Sequence, residues 1–426
     1  MALTIFILSF FILLIIGVPI AFSMILPSFL YLLIADLPIS VVAQRLFDPL
    51  TSPSFLAIPF YILTAEILNA TKVTQILFQF ARKAIGFMPG GLGQSNVLAS
   101  MIFAGMSGSA SADAGGLGRI EITAMKEAKY DLSYTVGITA SSSVIGPIIP
   151  PSIPFAVYGI IASQSIAKLF VAGILPGIIM GLCLMAIIFY IAIKNPKLFP
   201  RDPIPKGKEI LIALKDAFWP LLIPIIIIGG ILSGKFTPTE AGSVAIFCAI
   251  VISIFYKTFS LKLIAIAFRK AMRSTVVVMF ILAAALVFSW VVTISQLPQI
   301  AIHFIFTFTT SKTVILLLIA ALILIMGMFM SANACLIIIA PILVEFAPLL
   351  NIDLIHMGVF LVLGVMIAVI TPPIGGVLFI LSDYTGLSIS EITKGTLPFL
   401  IALIISWLIV IFVPEASLFL PKLLLG

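Results

Sequence analysis

The stretch Gly105-Met106-Ser107-Gly108-Ser109-Ala110-Ser111-Ala112-Asp113-Ala114-Gly115-Gly116 gathers hydroxyls, one carboxylate and bare backbone inside a strongly apolar sequence. Oxygens of this kind can replace the hydration shell of a hard monovalent cation, and serine hydroxyls can orient a polar ligand without carrying charge. Asp113 is the one acid in the stretch, and an ionisable group at membrane depth is a functional candidate by default. Two plainer readings stand beside this one. Gly, Ala and Ser also line tight helix interfaces, and an Asp in a loop also orders it by accepting from nearby backbone N–H groups.

The apolar run before the stretch, 97–106, is too short to cross a hydrocarbon core, which takes about 20 helical residues. Arg119, Glu121, Lys126, Glu127 and Lys129 follow it, so no second spanning run comes after. A re-entrant hairpin fits this pattern, with its tip surrounded by protein or by a water-filled cavity. A displacement of 222 residues carries Gly105-Met106 onto Gly327-Met328 and Ser109-Ala110-Ser111-Ala112 onto Ser331-Ala332-Asn333-Ala334. The same displacement carries Pro150-Pro151 onto Pro372-Pro373 and Gly173-Ile174-Leu175-Pro176 onto Gly395-Thr396-Leu397-Pro398. The chain therefore reads as two related halves, each with a hairpin followed by a helix broken at a Pro-Pro pair. Paired interrupted segments of this kind point to a secondary transporter's binding site.

Of the 426 residues, 62% are hydrophobic and 9% charged, values that exclude a soluble domain and specify a polytopic membrane protein. The net charge of +7 lies in loops, where it sets orientation rather than a nucleic-acid interface. Cys183, Cys248 and Cys335 are far apart in apolar runs and read as small buried residues. The first charge is Asp36, and the apolar run ahead of it exceeds a signal peptide's core, so it reads as retained membrane structure.

The run 3–35 would make a helix of about 50 Å, too long for one crossing, and the Gly17-Val18-Pro19 break predicts two short helices. A third segment spans 55–68 and leads into 71–86, where Ile76, Leu77, Phe80 and Ala84 share one face of an interfacial amphipathic helix. Segment 132–161 is interrupted at Gly146-Pro147-Ile148-Ile149-Pro150-Pro151, where prolines remove backbone donors and free carbonyls. A crossing at 169–193 closes the first half. The basic linker 194–215 is assigned to the cytoplasm.

Crossings at 217–233, 241–256 and 274–295 open the second half, with basic residues at 257–273 between the last two. Segment 297–310 matches the first amphipathic helix but lacks its basic residues, which places the two copies on opposite faces and makes the repeat inverted. A second hairpin at 314–350, a second broken helix at 356–381 and a crossing at 396–413 complete a count of about ten crossings and two hairpins, with both termini outside.

No catalytic constellation or Walker A sequence is present, which argues against an enzyme and against direct ATP coupling. His303 and His356 sit at segment edges and read as solvated or interfacial; Glu66 and Glu240 read as interfacial or capping groups. An ion channel is the other class considered, but it does not need matched hairpins entering from opposite faces. The physical expectation is two cation sites, each made by a hairpin tip and the facing Pro-Pro break. Helix N-termini at the breaks suit a substrate carboxylate. Hairpins and broken helices would move as one body against a scaffold of N-terminal crossings and interfacial helices.

The Gly-Met-Ser-Gly-Ser-Ala-Ser-Ala-Asp-Ala hairpin, the Pro-Pro-Ser-Ile-Pro and Thr-Pro-Pro-Ile-Gly-Gly breaks and the N-terminal Gly-Val-Pro-Ile-Ala-Phe together resemble the large membrane subunit of a tripartite ATP-independent periplasmic (TRAP) transporter over nearly the whole chain. The resemblance implies an all-α elevator-type transporter in a bacterial inner membrane, coupled to Na+ at two sites. It also implies a small four-helix membrane subunit, here a separate chain, and a periplasmic binding protein that delivers an organic acid. Nucleic acid is not a partner. The repeats are expected at 1–215 and 216–426. Cation ligands are expected at Ser107, Ser109, Gly146, Ile149 and Pro150 in one half, and at Gly327, Ser331, Asn333, Ile370, Thr371 and Gly375 in the other. Substrate contacts are expected from Ser111, Asp113, Ser152 and Asn333. The Ser-Gly-Ser-Ala-Ser-Ala-Asp-Ala-Gly-Gly-Leu-Gly form is similar to the sialic-acid and sugar-acid branch more than to the C4-dicarboxylate branch.

Overall fold

The computed structural model describes residues 2–51, 53–372 and 375–426, so Pro373 and Ile374 of the second expected break lie outside the described residues. Every regular element in the described residues is helical. The N-terminal run divides at Gly17-Val18-Pro19 into α1 (Ala2–Ile15) and α2 (Ile20–Ile34), as its length requires. After α3 (Ser40–Thr51) comes α4 (Ala57–Ala70), then α5 (Val73–Ile85), which buries Val73, Leu77, Phe78 and Ala81 and carries Arg82 and Lys83 in its last turn.

The first hairpin is α6 (Gly91–Ser107), the single turn α7 (Ala110–Gly115) and α8 (Leu117–Glu127). Its polar exit, read from sequence only as a charged stretch, is helical because Leu117, Ile122 and Met125 fall on one buried face. The first broken helix follows as α9 (Leu132–Ser143) and α10 (Ile153–Ile161), and α11 (Ile166–Lys194) closes the half.

Two expected crossings begin earlier than hydropathy suggests: α12 (Gly207–Leu232) takes in the end of the linker, and α14 (Leu261–Ile294) absorbs the basic stretch as 34 continuous helical residues. Lys and Arg are good helix formers, so an apolar helix runs on through them into the interface. Between these two lies α13 (Pro238–Phe255), started by a capping box in which the Thr237 N–H donates to Glu240 Oε2 at 2.8 Å and the Glu240 N–H donates to Thr237 Oγ1 at 3.2 Å. Then come α15 (Leu297–Phe308), the second hairpin α16 (Lys312–Phe329) and α17 (Ala332–Leu349), the second broken helix α18 (Leu354–Ala368) and α19 (Gly376–Thr385), and α20 (Ile389–Phe412). A last helix, α21 (Glu415–Leu425), was not foreseen. It covers His356, which is buried and bonded to Ser417 Oγ at 2.7 Å rather than solvated at a segment edge.

Seven helices of the described residues are long and apolar enough to cross a membrane: α11, α12, α13, α14, α16, α17 and α20. Shorter apolar helices include α1, α2, α4, α18 and α19. Packing sorts the helices into two groups. In one, α14 lies against α2, α3 and α4, and α4 against α13; in the other, α9 and α11 lie against α20, and α18 against α16 and α17.

The second group joins the two halves by backbone contact. A Cβ on Gly137 of α9 would run into the Gly395 carbonyl of α20, and Ser133 Oγ donates to the Glu391 carbonyl at 2.8 Å. Tyr158 of α10 also crosses between the halves, donating to the Leu354 carbonyl at 2.8 Å. Within the second half, Trp407 Nε1 of α20 donates to the Phe360 carbonyl of α18 at 2.9 Å. Within the first half, Asn96 Nδ2 donates to Thr139 Oγ1 at 2.9 Å and Ser142 Oγ donates to Asn96 Oδ1 at 2.6 Å, locking α6 to α9 where water is scarce.

Candidate functional site

Both hairpin tips and both helix breaks meet at one cavity of about 650 Å³. Hairpin 1 contributes Ser107 to Ala112, and hairpin 2 contributes Ser331, Ala332 and Asn333. The breaks contribute Pro147, Ile153 and Pro154 on one side and Val369, Gly376 and Val377 on the other. The cavity wall thus includes the first residues of α10, α17 and α19. The positive end of the macrodipole sits at each such terminus and favours an anion.

Five of the residues singled out by sequence line this cavity: Ser107, Ser109, Ser111, Ser331 and Asn333. Ser109 caps α7, accepting from the Ala112 N–H at 3.4 Å, and its hydroxyl lies 3.1 Å from that of Ser111. Gly108 makes the turn between α6 and α7 possible. Its φ of 60° is left-handed, and a Cβ there would stand 2.6 Å from the Pro151 carbonyl. The hairpin tip is therefore pressed directly onto the first break.

The other residues lie just behind the wall. Ser152 is buried and occupied within the break, donating to the Pro147 carbonyl and accepting from the Phe155 N–H at 3.2 Å. Ile149 packs on Gly177 of α11, and the Pro150 carbonyl approaches Gly105 of α6. In the second half, Gly327 abuts Ala368, while Thr371 Oγ1 donates to the Ile367 carbonyl at 2.9 Å. Buried Ile370 and left-handed Gly375, with φ 45°, bracket that break.

Asp113 faces away from the cavity and toward the first break. It is 1% exposed, and neither carboxylate oxygen has a hydrogen-bond partner in the protein. Around the position that a Cβ on Gly146 would take stand the Ser143 carbonyl at 3.1 Å, Asp113 Oδ2 at 3.6 Å and the Ser109 carbonyl at 3.6 Å. Ser107 Oγ, also buried, has no partner either. The Ser143 and Ser109 carbonyls accept from the Gly146 and Asp113 N–H groups but keep a second lone pair each, and with the unpartnered Asp113 carboxylate they form an oxygen-rich set of the kind a hard monovalent cation takes. The chemistry of the first half therefore fits a cation beside Gly146.

Sequence reasoning missed Arg273 and Ser274, which reach the same cavity from α14, and gave Glu66 of α4 only a capping or interfacial role although it lines the wall. Their positions along the chain carry no hairpin or Pro-Pro signal; only the packing of α4 and α14 across from the tips brings them in.

A profile described as "Tripartite ATP-independent periplasmic transporter, DctM component" matches residues 7–416. The chain is 38% identical over 412 residues to the sialic acid TRAP transporter large permease protein SiaM of Vibrio cholerae, covering 96% of each. It is 37% identical over 381 residues to the C4-dicarboxylate TRAP transporter large permease protein DctM of Pseudomonas aeruginosa, covering 89% of each. The crystal structure of the YdaH transporter of Alcanivorax borkumensis shares the fold at a TM-score of 0.65 and 15% identity, over 88% of this chain and 87% of that one. With its paired hairpins, paired breaks and nearly full-length match, the chain belongs to the DctM family of TRAP transporter large permeases.

Proposed function

We propose that this subunit carries organic acids into the cytoplasm of a bacterium across its inner membrane, in symport with sodium, and that sialic acid or a related sugar acid is the favoured substrate. The convergence of both hairpin tips and both breaks on one cavity is the observation that carries this reading. Neutral hydroxyls and an amide there can hold a polyhydroxylated acid, and the ends of α10, α17 and α19 favour its carboxylate. Ser107, Ser109, Asp113 and Gly146 would hold one sodium ion, whose positive charge would offset the buried Asp113 carboxylate. A second ion would sit at the matching positions of the other half.

The similarity to the Vibrio cholerae SiaM protein and the hairpin 1 sequence favour a sugar acid. The similarity to the Pseudomonas aeruginosa DctM protein supports a C4-dicarboxylate as the second reading. The partners under this proposal are a small four-helix membrane subunit and a periplasmic binding protein that delivers the acid. The halves 1–215 and 216–426 form inverted repeats, and the hairpin-bearing helices move as an elevator against the scaffold.

The test is uptake into proteoliposomes containing both membrane subunits, with the candidate binding protein outside. Uptake of N-acetylneuraminate that requires an inward sodium gradient is expected. Uptake driven by ATP, or unchanged without sodium, overturns the coupling; succinate uptake in place of the sugar acid selects the second reading.

A further inference from the structure

A second cavity of about 480 Å³ adjoins the first and shares Glu66, Ser111 and Ala112 with it. One wall is α8, which contributes Arg119; the facing wall is α14, which contributes Lys270. Arg273, one helical turn beyond Lys270, lines the main cavity, so three cations mark the way from the hairpin tips into the side cavity. Glu66 is the single acid on either wall. It feels Lys270 electrostatically, but no ion pair forms between them, and none forms at Arg119 or Arg273 among the described residues. Arg119 instead stacks over the Tyr384 ring, 5.2 Å from its centre, with its charge uncompensated.

Three unpaired cations against one carboxylate leave a positive potential in a recess whose low-dielectric walls focus it. This contrasts with the main cavity's hairpin side, where neutral groups and helix ends do the holding. The two walls also belong to different packing groups. Arg119 sits on α8, which packs against α6 and α9, whereas Lys270 sits on α14, which packs mainly against α2, α3 and α4 and touches the hairpin helices through α17. The cluster is complete only while α8 faces α14 as it does here. It lies on the basic side of the molecule, with Lys257, Lys262 and Arg269 on or next to the same end of α14.

We propose that the side cavity is a second, transient binding station for the organic anion, held by Arg119 and Lys270, through which the acid passes between the hairpin tips and the basic face. This rests on the reading of the chain as an organic-acid carrier. The station gives the anion a partner outside the hairpin tips, so that release proceeds in two shallow steps instead of one.

The test uses the full chain, with its three native cysteines replaced, co-purified with its membrane partner. A single cysteine is placed at Ile120, which lines the side cavity. It is labelled in parallel with a negatively charged sulfonate and a positively charged ammonium thiol reagent. The sulfonate is expected to react about tenfold faster relative to its rate with a free thiol, and the preference should collapse in Arg119→Gln/Lys270→Gln. Arg119→Lys/Lys270→Arg should keep the preference, which guards against a merely misfolded variant. N-acetylneuraminate or succinate, whichever the assembled transporter takes up, should slow labelling in the parent and not in the neutralised protein.

A preference near one in the parent, or one that survives neutralisation, overturns the proposal. Charge-dependent labelling without protection by the transported acid overturns the station as a substrate site. If labelling follows the charges but neither acid is taken up, the functional reading has failed, and the station as a substrate site with it.

Discussion

At Gly108 the φ of 60° and the nearby Pro151 carbonyl leave no room for a side chain. Gly108→Ala is expected to cost about 1–2 kcal/mol for the left-handed backbone alone, and to push the hairpin tip off the break. Loss of uptake with retained membrane expression is the expected result, measured against Gly115→Ala, where the nearest atom is Ile380 Cγ2 at 3.8 Å. Asp113 invites a second residue-scale test, because its unpartnered oxygens face Gly146 and not the cavity. Asp113→Asn preserves shape while removing charge, and the half-saturating sodium concentration should rise by about tenfold, equivalent to about 1.4 kcal/mol. An Asn variant with wild-type sodium and substrate dependence overturns the charged role of Asp113.

Among the elements, α5 is fastened to the segment that follows α11. Arg82 grips Asp202 through Nε at 2.6 Å and through a second guanidinium nitrogen at 2.9 Å, and Lys83 reaches Glu209 at 2.6 Å. Arg82→Gln should lower stability by about 1 kcal/mol, read as a lower unfolding temperature in detergent that high salt erases. The elements divide clearly into those legible in sequence and those not. The paired hairpins and breaks were legible because Gly and Pro dictate backbone locally, whatever surrounds them. The two short N-terminal helices followed from length together with the Gly17-Val18-Pro19 break. By contrast, α3 and α21 went unread, and α14 was read too short, because amphipathic or basic helices at an interface take their definition from neighbours. Arg273 and Glu66 escaped for the same reason, since their place at the cavity depends on two distant helices lying side by side.

For the molecule as a whole, the basic residues of α5 and their absence from α15 predict opposite insertion of the halves. With native cysteines removed, a cysteine at Lys235 should react with an impermeant reagent from outside, and one at Lys206 only from inside; the reverse pattern turns the protein over. The joining of α9 to α20 has a mechanical meaning of its own. The Gly137 and Gly395 backbones touch with no side chain between them to act as a cushion, and Tyr158, bonded to the Leu354 carbonyl, pins a second point between the halves. Under the proposed elevator motion, a seam of that stiffness would work as a gear train without slack: whatever is seated at one hairpin tip would advance in step with whatever is seated at the other. A fixed ratio of passengers per stroke can then arise from rigidity alone, with no signal exchanged between their seats.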